Sequence, residues 1–283
     1  MTASIQLRDV TVSYQRHPAV HHLSGCFEAG SLTAIVGPNG AGKSSLMQAL
    51  AGQAETCSGE VTFSAGARRQ LAYLPQQSQL DRSFPLSVLD VVMLGHWARL
   101  GPWRSAGASQ RAQAQQALAA VGLVGFDQRR IGELSAGQLQ RVLFARVLLQ
   151  DARVILLDEP FNAIDARTTA DLLALVARWH AQERTVVAVL HDLDQVRAHF
   201  PQTLLLAREA IAWGPTAQVL NAQNLFRARQ MAERWDEQAP TCERTTQAVH
   251  APAHEHEHSH QHVHGHAHAH PQHGHPHAAP RTV

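Results

Sequence analysis

The chain has 283 residues, and its 24 Lys and Arg against 23 Asp and Glu leave a formal charge of +1 with histidine neutral. That balance excludes a general nucleic-acid binder, whose basic excess gathers on one face, while the length suits one large domain or two modest ones plus a tail. Three cysteines, Cys26, Cys57 and Cys242, are odd in number and scattered, which argues against a disulfide framework or a cysteine zinc site and fits a reducing compartment.

No apolar run approaches the roughly 18 residues that would span a bilayer, and the opening MTASIQLRDV lacks the apolar region of a signal peptide. Any role at a membrane is therefore expected to run through a partner. Residues 4–75 alternate short apolar strands with turns: IQLRDVTVSY, HLSGCFEAG, SLTAIVG, EVTF and LAYLP. The third of these runs into GPNGAGKSS and then LMQALAG, a pattern of strand, glycine-rich loop and helix. Gly37, four residues, then Gly42, Lys43 and Ser44 fit a phosphate-binding loop, completed by Pro38, Asn39, Gly40, Ala41 and Ser45. Its glycines let backbone N–H groups surround phosphates, Lys43 is expected to reach the β- and γ-phosphates, and Ser44 to ligate Mg²⁺. Lys43 is the single lysine of the chain.

After Pro85 the period changes. SVLDVVMLGHW and SQRAQAQQALAAVG read as helices, the second capped by Ser109 and stopped by Gly122. In ELSAGQLQRVLFARVLLQ, Ser135 has the position of an N-cap and the apolar spacing of Leu139, Val142, Leu143 and Val147 is helical. A helix start of this kind can hold an anion, although plain capping is its ordinary role. ARVILLDEP then supplies an apolar run over 154–157, suited to a strand buried on both faces, with Asp158 and Glu159 at its carboxyl end, where open α/β sheets place ligands. One carboxylate can join the Mg²⁺ shell while its neighbour orients and deprotonates water. Beyond Ala166, RTTADLLALVARWHAQ predicts an amphipathic helix, TVVAVL and TLLLA buried strands, and EAIAWG a last strand closed by Gly214 and Pro215.

The end of the chain changes character. Thirteen histidines lie between His250 and His277, and His254, His256, His258, His260, His262, His264, His266, His268 and His270 fall on every second position. A purification tag is usually contiguous, and this run is not. So polar and low-complexity a stretch cannot bury enough apolar surface to offset its ordering entropy, so a disordered tail is expected. Neutral imidazoles suit Zn²⁺, Ni²⁺ and Cu²⁺, whereas Mn²⁺ prefers oxygen ligands. With about four ligands per zinc, the tail has capacity for on the order of three ions, at modest affinity because alternate spacing is no rigid template.

Taken in order, these motifs resemble those of the ATP-binding cassette (ABC) ATPases. GPNGAGKS is similar to their Walker A motif, LSAGQ to their signature motif with Ala136 where a glycine is usual, and VILLDEP to their Walker B motif, which makes Glu159 the catalytic carboxylate and Asp158 a Mg²⁺ ligand. The resemblance further implies that Tyr14 stacks on adenine, that Gln76 contacts Mg²⁺ and relays to the transporter, that Asp165 is the D-loop aspartate, and that His191 is the switch histidine at the γ-phosphate. It covers residues 5–235 and implies an α/β P-loop NTPase cassette, with a RecA-like core, an antiparallel β subdomain and a helical subdomain inserted at about 80–150, followed by a low-complexity tail at 236–283. Because one Walker A and one signature are present, the chain is expected to dimerise head to tail, with Ser135, Gly137, Gln138 and Asp165 contacting ATP held by the other copy.

The resemblance also implies a role: the energising subunit of a transporter, peripheral on the cytoplasmic face of the inner membrane and docked on a separate transmembrane permease. The segment 77–103, with FPLSVLDVVMLGHW, is similar to the coupling surface of importers of zinc, manganese and iron chelates, which would bring an extracytoplasmic metal-binding protein into indirect partnership. Zinc import with a zinc-binding tail is the reading the histidines favour; importers of manganese, nickel or an iron siderophore, and a metal exporter, stay open. A P-loop metallochaperone NTPase would also join such a loop to a His-rich stretch, but a guanine-reading Asn-Lys-x-Asp motif needs a second lysine that this chain lacks.

Overall fold

The computed structural model describes residues 3–14, 17–76, 81–101 and 106–233. The chain divides into two units, Met1–Thr245 and Thr246–Val283, and every described residue lies in the first. The histidines at 250–277 fall outside the described residues, as does part of the segment 77–103.

Two sheets organise the described residues. Strands β1 (Ile5–Tyr14), β2 (His17–Phe27) and β4 (Ser58–Phe63) form an antiparallel sheet in the order β2-β1-β4. Strands β3 (Leu32–Val36), β5 (Leu71–Leu74), β6 (Val154–Asp158), β7 (Thr185–Val189), β8 (Gln202–Ala207) and β9 (Glu209–Pro215) form the second, in the order β5-β6-β7-β3-β8-β9. Its neighbours run parallel except β9, which turns back along β8. The central strands are apolar at almost every position because both faces are covered. Ile155 and Leu157 of β6 join a core with Leu118, Val142 and Trp179, while Val154 and Leu156 join one with Val12, Phe27 and Leu46.

Helix α1 (Lys43–Ala51) follows β3, and α2 (Val88–Met93), α3 (Trp97–Leu100), α4 (Ala108–Ala120) and α5 (Ala136–Gln150) lie between β5 and β6 in the chain. Then come α6 (Ala166–Ala181), α7 (Leu193–His199), α8 (Thr216–Val219) and α9 (Ala222–Glu233). Leu139, Val142, Leu143 and Val147 of α5 are all buried, as their spacing predicts. Phe144 of the same helix stacks on Trp179 of α6, with ring centroids 5.7 Å apart and planes 6° from parallel. The start of α4 differs from the sequence reading. Gly107, not Ser109, is its N-cap, because Gln110 reaches back to accept from the Gly107 amide at 3.0 Å and starts the helix at Ala108. Among the described residues no helix is long and apolar enough to cross a membrane, and Cys26 and Cys57 are free thiols.

Strand order sets the site. In the parallel registers, Ile35 of β3 and Asp158 of β6 both pair with Val189 of β7. Three chain segments that are far apart in sequence therefore leave the sheet at one level: the loop after β3, the carboxylates ending β6, and the turn carrying His191. This is the carboxyl edge at which open α/β sheets bind ligands.

Candidate nucleotide site

The loop between β3 and α1 ends at Gly42, whose φ of 89° is left-handed and which offers no side-chain cap to α1. The first turn of α1 also holds no acidic residue. By contrast, side chains of Ser87, Ser135, Asp165 and Asp192 cap α2, α5, α6 and α7. An uncapped amino end keeps its N–H donors and its partial positive charge for a ligand, which is what a phosphate needs. Lys43 is buried at 6% exposure, and its Nζ donates to the Gly37 and Pro38 carbonyls, both at 2.9 Å. Burial holds its ammonium below the ordinary lysine range, partly offset by Glu159 and Asp158. An open cleft of ≈340 Å³ is lined by Ala19, the loop residues Asn39 to Ser45, and Glu159.

Asp158 is fully buried. Its Oδ1 accepts from Ser44 Oγ at 3.4 Å and its Oδ2 from Tyr73 Oη at 3.5 Å. Burial first, and then the charge of Glu159, push this carboxyl up to about 6. A desolvated carboxylate with only long contacts, beside a serine hydroxyl, is a hard oxygen donor set of the kind Mg²⁺ takes. The donor chemistry fits the ion, and Ser44 and Asp158 are the residues that would hold it.

Glu159 leaves β6 with a left-handed φ of 49°, a conformation that costs a non-glycine residue of order 1–3 kcal/mol. The carboxylate it delivers receives three donors. Gln76 Nε2 donates to Oε2 at 2.8 Å, Asn162 Nδ2 to Oε2 at 3.2 Å, and His191 Nε2 to Oε1 at 2.6 Å. Gln76 thus has its amide nitrogen on Glu159. His191 is 43% exposed and Glu159 11%, and both line a second opening of ≈240 Å³ with Phe161, Asn162 and Asp192.

The residues expected to act on a second copy's nucleotide stand apart from this cleft. Ser135 caps α5 reciprocally with Gln138: the serine side chain accepts from Gln138 N at 3.2 Å, and Gln138 Oε1 accepts from Ser135 N at 3.0 Å. Asp165 accepts from Thr168 N at 2.9 Å and Thr168 Oγ1 at 2.8 Å, bonds that hold its carboxyl below the ordinary carboxylate value. Gly137 lies against this cap, close enough that a Cβ there would be 3.3 Å from Asp165 Oδ2. None of Ser135, Gly137, Gln138 and Asp165 lines the phosphate-loop cleft of the single chain. Tyr14 is the last residue of β1, paired with His17. Sequence reasoning missed Tyr73, Asn162 and Ala19 as site neighbours. Tyr73 sits inside the segment LAYLP and Asn162 three residues before Asp165, but only the folded contacts distinguish them there.

The profile of the ABC transporter family matches residues 20–162, and the chain belongs to that family. It is an ATPase built on the ABC cassette. Among its relatives, the manganese transport system ATP-binding protein MntB of Listeria monocytogenes is 37% identical over 225 residues, covering 78% of this chain and 94% of the relative. The zinc transport system ATP-binding protein TroB of Treponema pallidum is 38% identical over 230 residues, covering 80% and 86%. Among solved structures, an inward-facing ABC transporter described as metal-chelate type matches with a TM-score of 0.72 at 28% identity, covering 81% of this chain and 90% of that one. A bacterial ABC transporter cassette solved as a dimer matches with a TM-score of 0.66 at 26% identity, covering 75% and 98%.

Proposed function

We propose that this chain is the ATP-hydrolysing subunit that energises a metal-ion importer, with zinc as its cargo. In this reading the triphosphate lies along residues 37–45, with Lys43 at the β- and γ-phosphates and Tyr14 toward the base. Mg²⁺, held by Ser44 and Asp158, supplies neutralisation of phosphate charge when bound. Glu159 takes the proton of the attacking water as the water oxygen bonds to the γ-phosphorus and the bond to the ADP oxygen breaks. The observation that carries the reading is the convergence of Gln76, Asn162 and His191 on the Glu159 carboxylate, beside the phosphate-loop cleft. Three donors keep that carboxylate oriented, and Gln76 ties it to the segment that would dock on the permease.

Ser135, Gly137, Gln138 and Asp165 act on the nucleotide of a second copy in a head-to-tail dimer. Support comes from their place outside the chain's own cleft and from the similar cassette solved as a dimer. The chain sits peripherally on the cytoplasmic face of the membrane, against a permease that an extracytoplasmic binding protein supplies. Relatives named for manganese and zinc support a metal cargo. The thirteen histidines favour zinc, since imidazole suits zinc and gives manganese little, and the tail then acts as a zinc buffer or sensor. Manganese is the second reading, favoured by the MntB relative. Calorimetric titration of the full chain and of a chain ending at Val249 with Zn²⁺ and Mn²⁺, run beside cellular uptake of both metals, tests the choice. Zinc uptake that depends on the chain, with zinc bound by the full chain only, is expected. Uptake of manganese alone, with no zinc on the tail, overturns the zinc assignment.

A further inference from the structure

We infer that Arg208 is a positioning residue that sets the spacing between the base side and the phosphate side of the nucleotide site, an inference that rests on the nucleotide-site reading above. Arg208 is the single residue between β8 and β9: Ala207 and Glu209 pair across it, and its own φ is 65°. Its amide N–H donates to the Ala41 carbonyl at 2.9 Å, and its carbonyl accepts from the His21 amide at 2.8 Å. Its guanidinium Nη1 donates to the Pro18 carbonyl at 3.3 Å.

These three bonds join two parts of the site. Ala41 belongs to the phosphate loop. Pro18 and His21 belong to β2, at the end where Pro18 pairs with Ser13 and His17 with Tyr14. Between the two attachments the loop and β2 are already in contact, because a Cβ on Gly42 would lie 2.0 Å from the Ala19 carbonyl oxygen. Ala19 itself lines the phosphate-loop cleft. Glu209 adds a further tie on the same edge, 3.3 Å from His21 Nδ1.

The bonds differ in what they need. The two backbone bonds need no side chain at position 208, whereas the bond to Pro18 needs the guanidinium. Losing it frees the β1–β2 end beside Tyr14 and leaves the phosphate loop held. A ligand with a base then suffers and a bare polyphosphate does not.

Arg208→Gly is the informative variant, since glycine suits a φ of 65° and removes only the side chain. Arg208→Lys restores a donor. The measurements are dissociation constants for ATP, ADP and inorganic tripolyphosphate with Mg²⁺, kcat at saturating ATP, and the thermal midpoint. Loss of the charged hydrogen bond to Pro18 at a partly exposed site is expected to weaken ATP and ADP by roughly fivefold. Tripolyphosphate affinity and kcat stay at wild-type values, the midpoint falls by a few degrees at most, and Arg208→Lys recovers part of the loss. Equal weakening of all three ligands, or no change in any, overturns the inference while wild-type ATP binding leaves the nucleotide-site reading standing. A wild-type chain that binds no ATP overturns both.

Discussion

Gly40 and Gly42 are two residues apart in the phosphate loop, and alanine is expected to act very differently at each. Both have left-handed backbones, with φ of 75° and 89°. An alanine at either therefore carries a penalty of about 1–2 kcal/mol. At Gly40 nothing lies within 4 Å of the added Cβ, so the penalty is the whole effect, and ATP affinity is expected to fall by about thirtyfold at most. At Gly42 the Cβ would sit 2.0 Å from the Ala19 carbonyl oxygen and 2.9 Å from Val20 Cγ2, against 3.4 Å for ordinary contact. The obstacle is the backbone of β2, where Ala19 lies between the paired residues Pro18 and Val20, so no rotamer change relieves it, and the loop must retreat by more than an ångström. A misplacement of that size costs on the order of a hundredfold where groups must be held in register. Nucleotide affinity by calorimetry, with circular dichroism to confirm folding, separates the two variants. Equal losses, or a Gly42→Ala chain within tenfold of wild type, would refute the steric account.

Glu159→Gln keeps the size and loses the base, so hydrolysis is expected to drop by about 10²–10⁴-fold while ATP binding persists and an ATP-bound dimer becomes visible by size exclusion. Near-normal turnover would move the base elsewhere. Asp158 bears on stability: its carboxyl is raised in the folded chain from an ordinary 3.8 to about 6. Its stabilising contribution is then fully present below about pH 4 and lost as pH rises through about 6. The nucleotide-free chain is expected to lose stability between pH 5 and 7.5 from this group by roughly 1 kcal/mol, a loss that Asp158→Asn removes along with hydrolysis. Melting curves at the two pH values check it, and an unchanged pH slope in Asp158→Asn would assign the effect to other groups.

The local features were written in short stretches of the chain. Apolar runs over 32–36 and 154–157 specify strands buried on both faces, and the loop that follows the first needs only glycine, lysine and serine at fixed offsets. The cap of α5 was legible as well, since Ser135 and Gln138 are three residues apart and the bond between them is a property of one helical turn. The same local reasoning misplaced the start of α4. Serine is the better cap by propensity, yet Gln110 pairs with the Gly107 amide and moves the start back.

What the chain pattern leaves open is which strands become neighbours. Every central strand is apolar on both faces, so its side chains carry no mark of order within the sheet. Tertiary packing alone put β7 between β3 and β6 and so brought Ile35, Asp158 and Val189 to one level. From that follow the contacts of Glu159 with Gln76, 83 positions earlier in the chain, and with His191, 32 positions later. Residue types in sequence determined the chemistry available to this protein. Strand order determined which of those groups meet, because hydrogen-bond distance between residues so far apart in the chain is set by the register of the sheet.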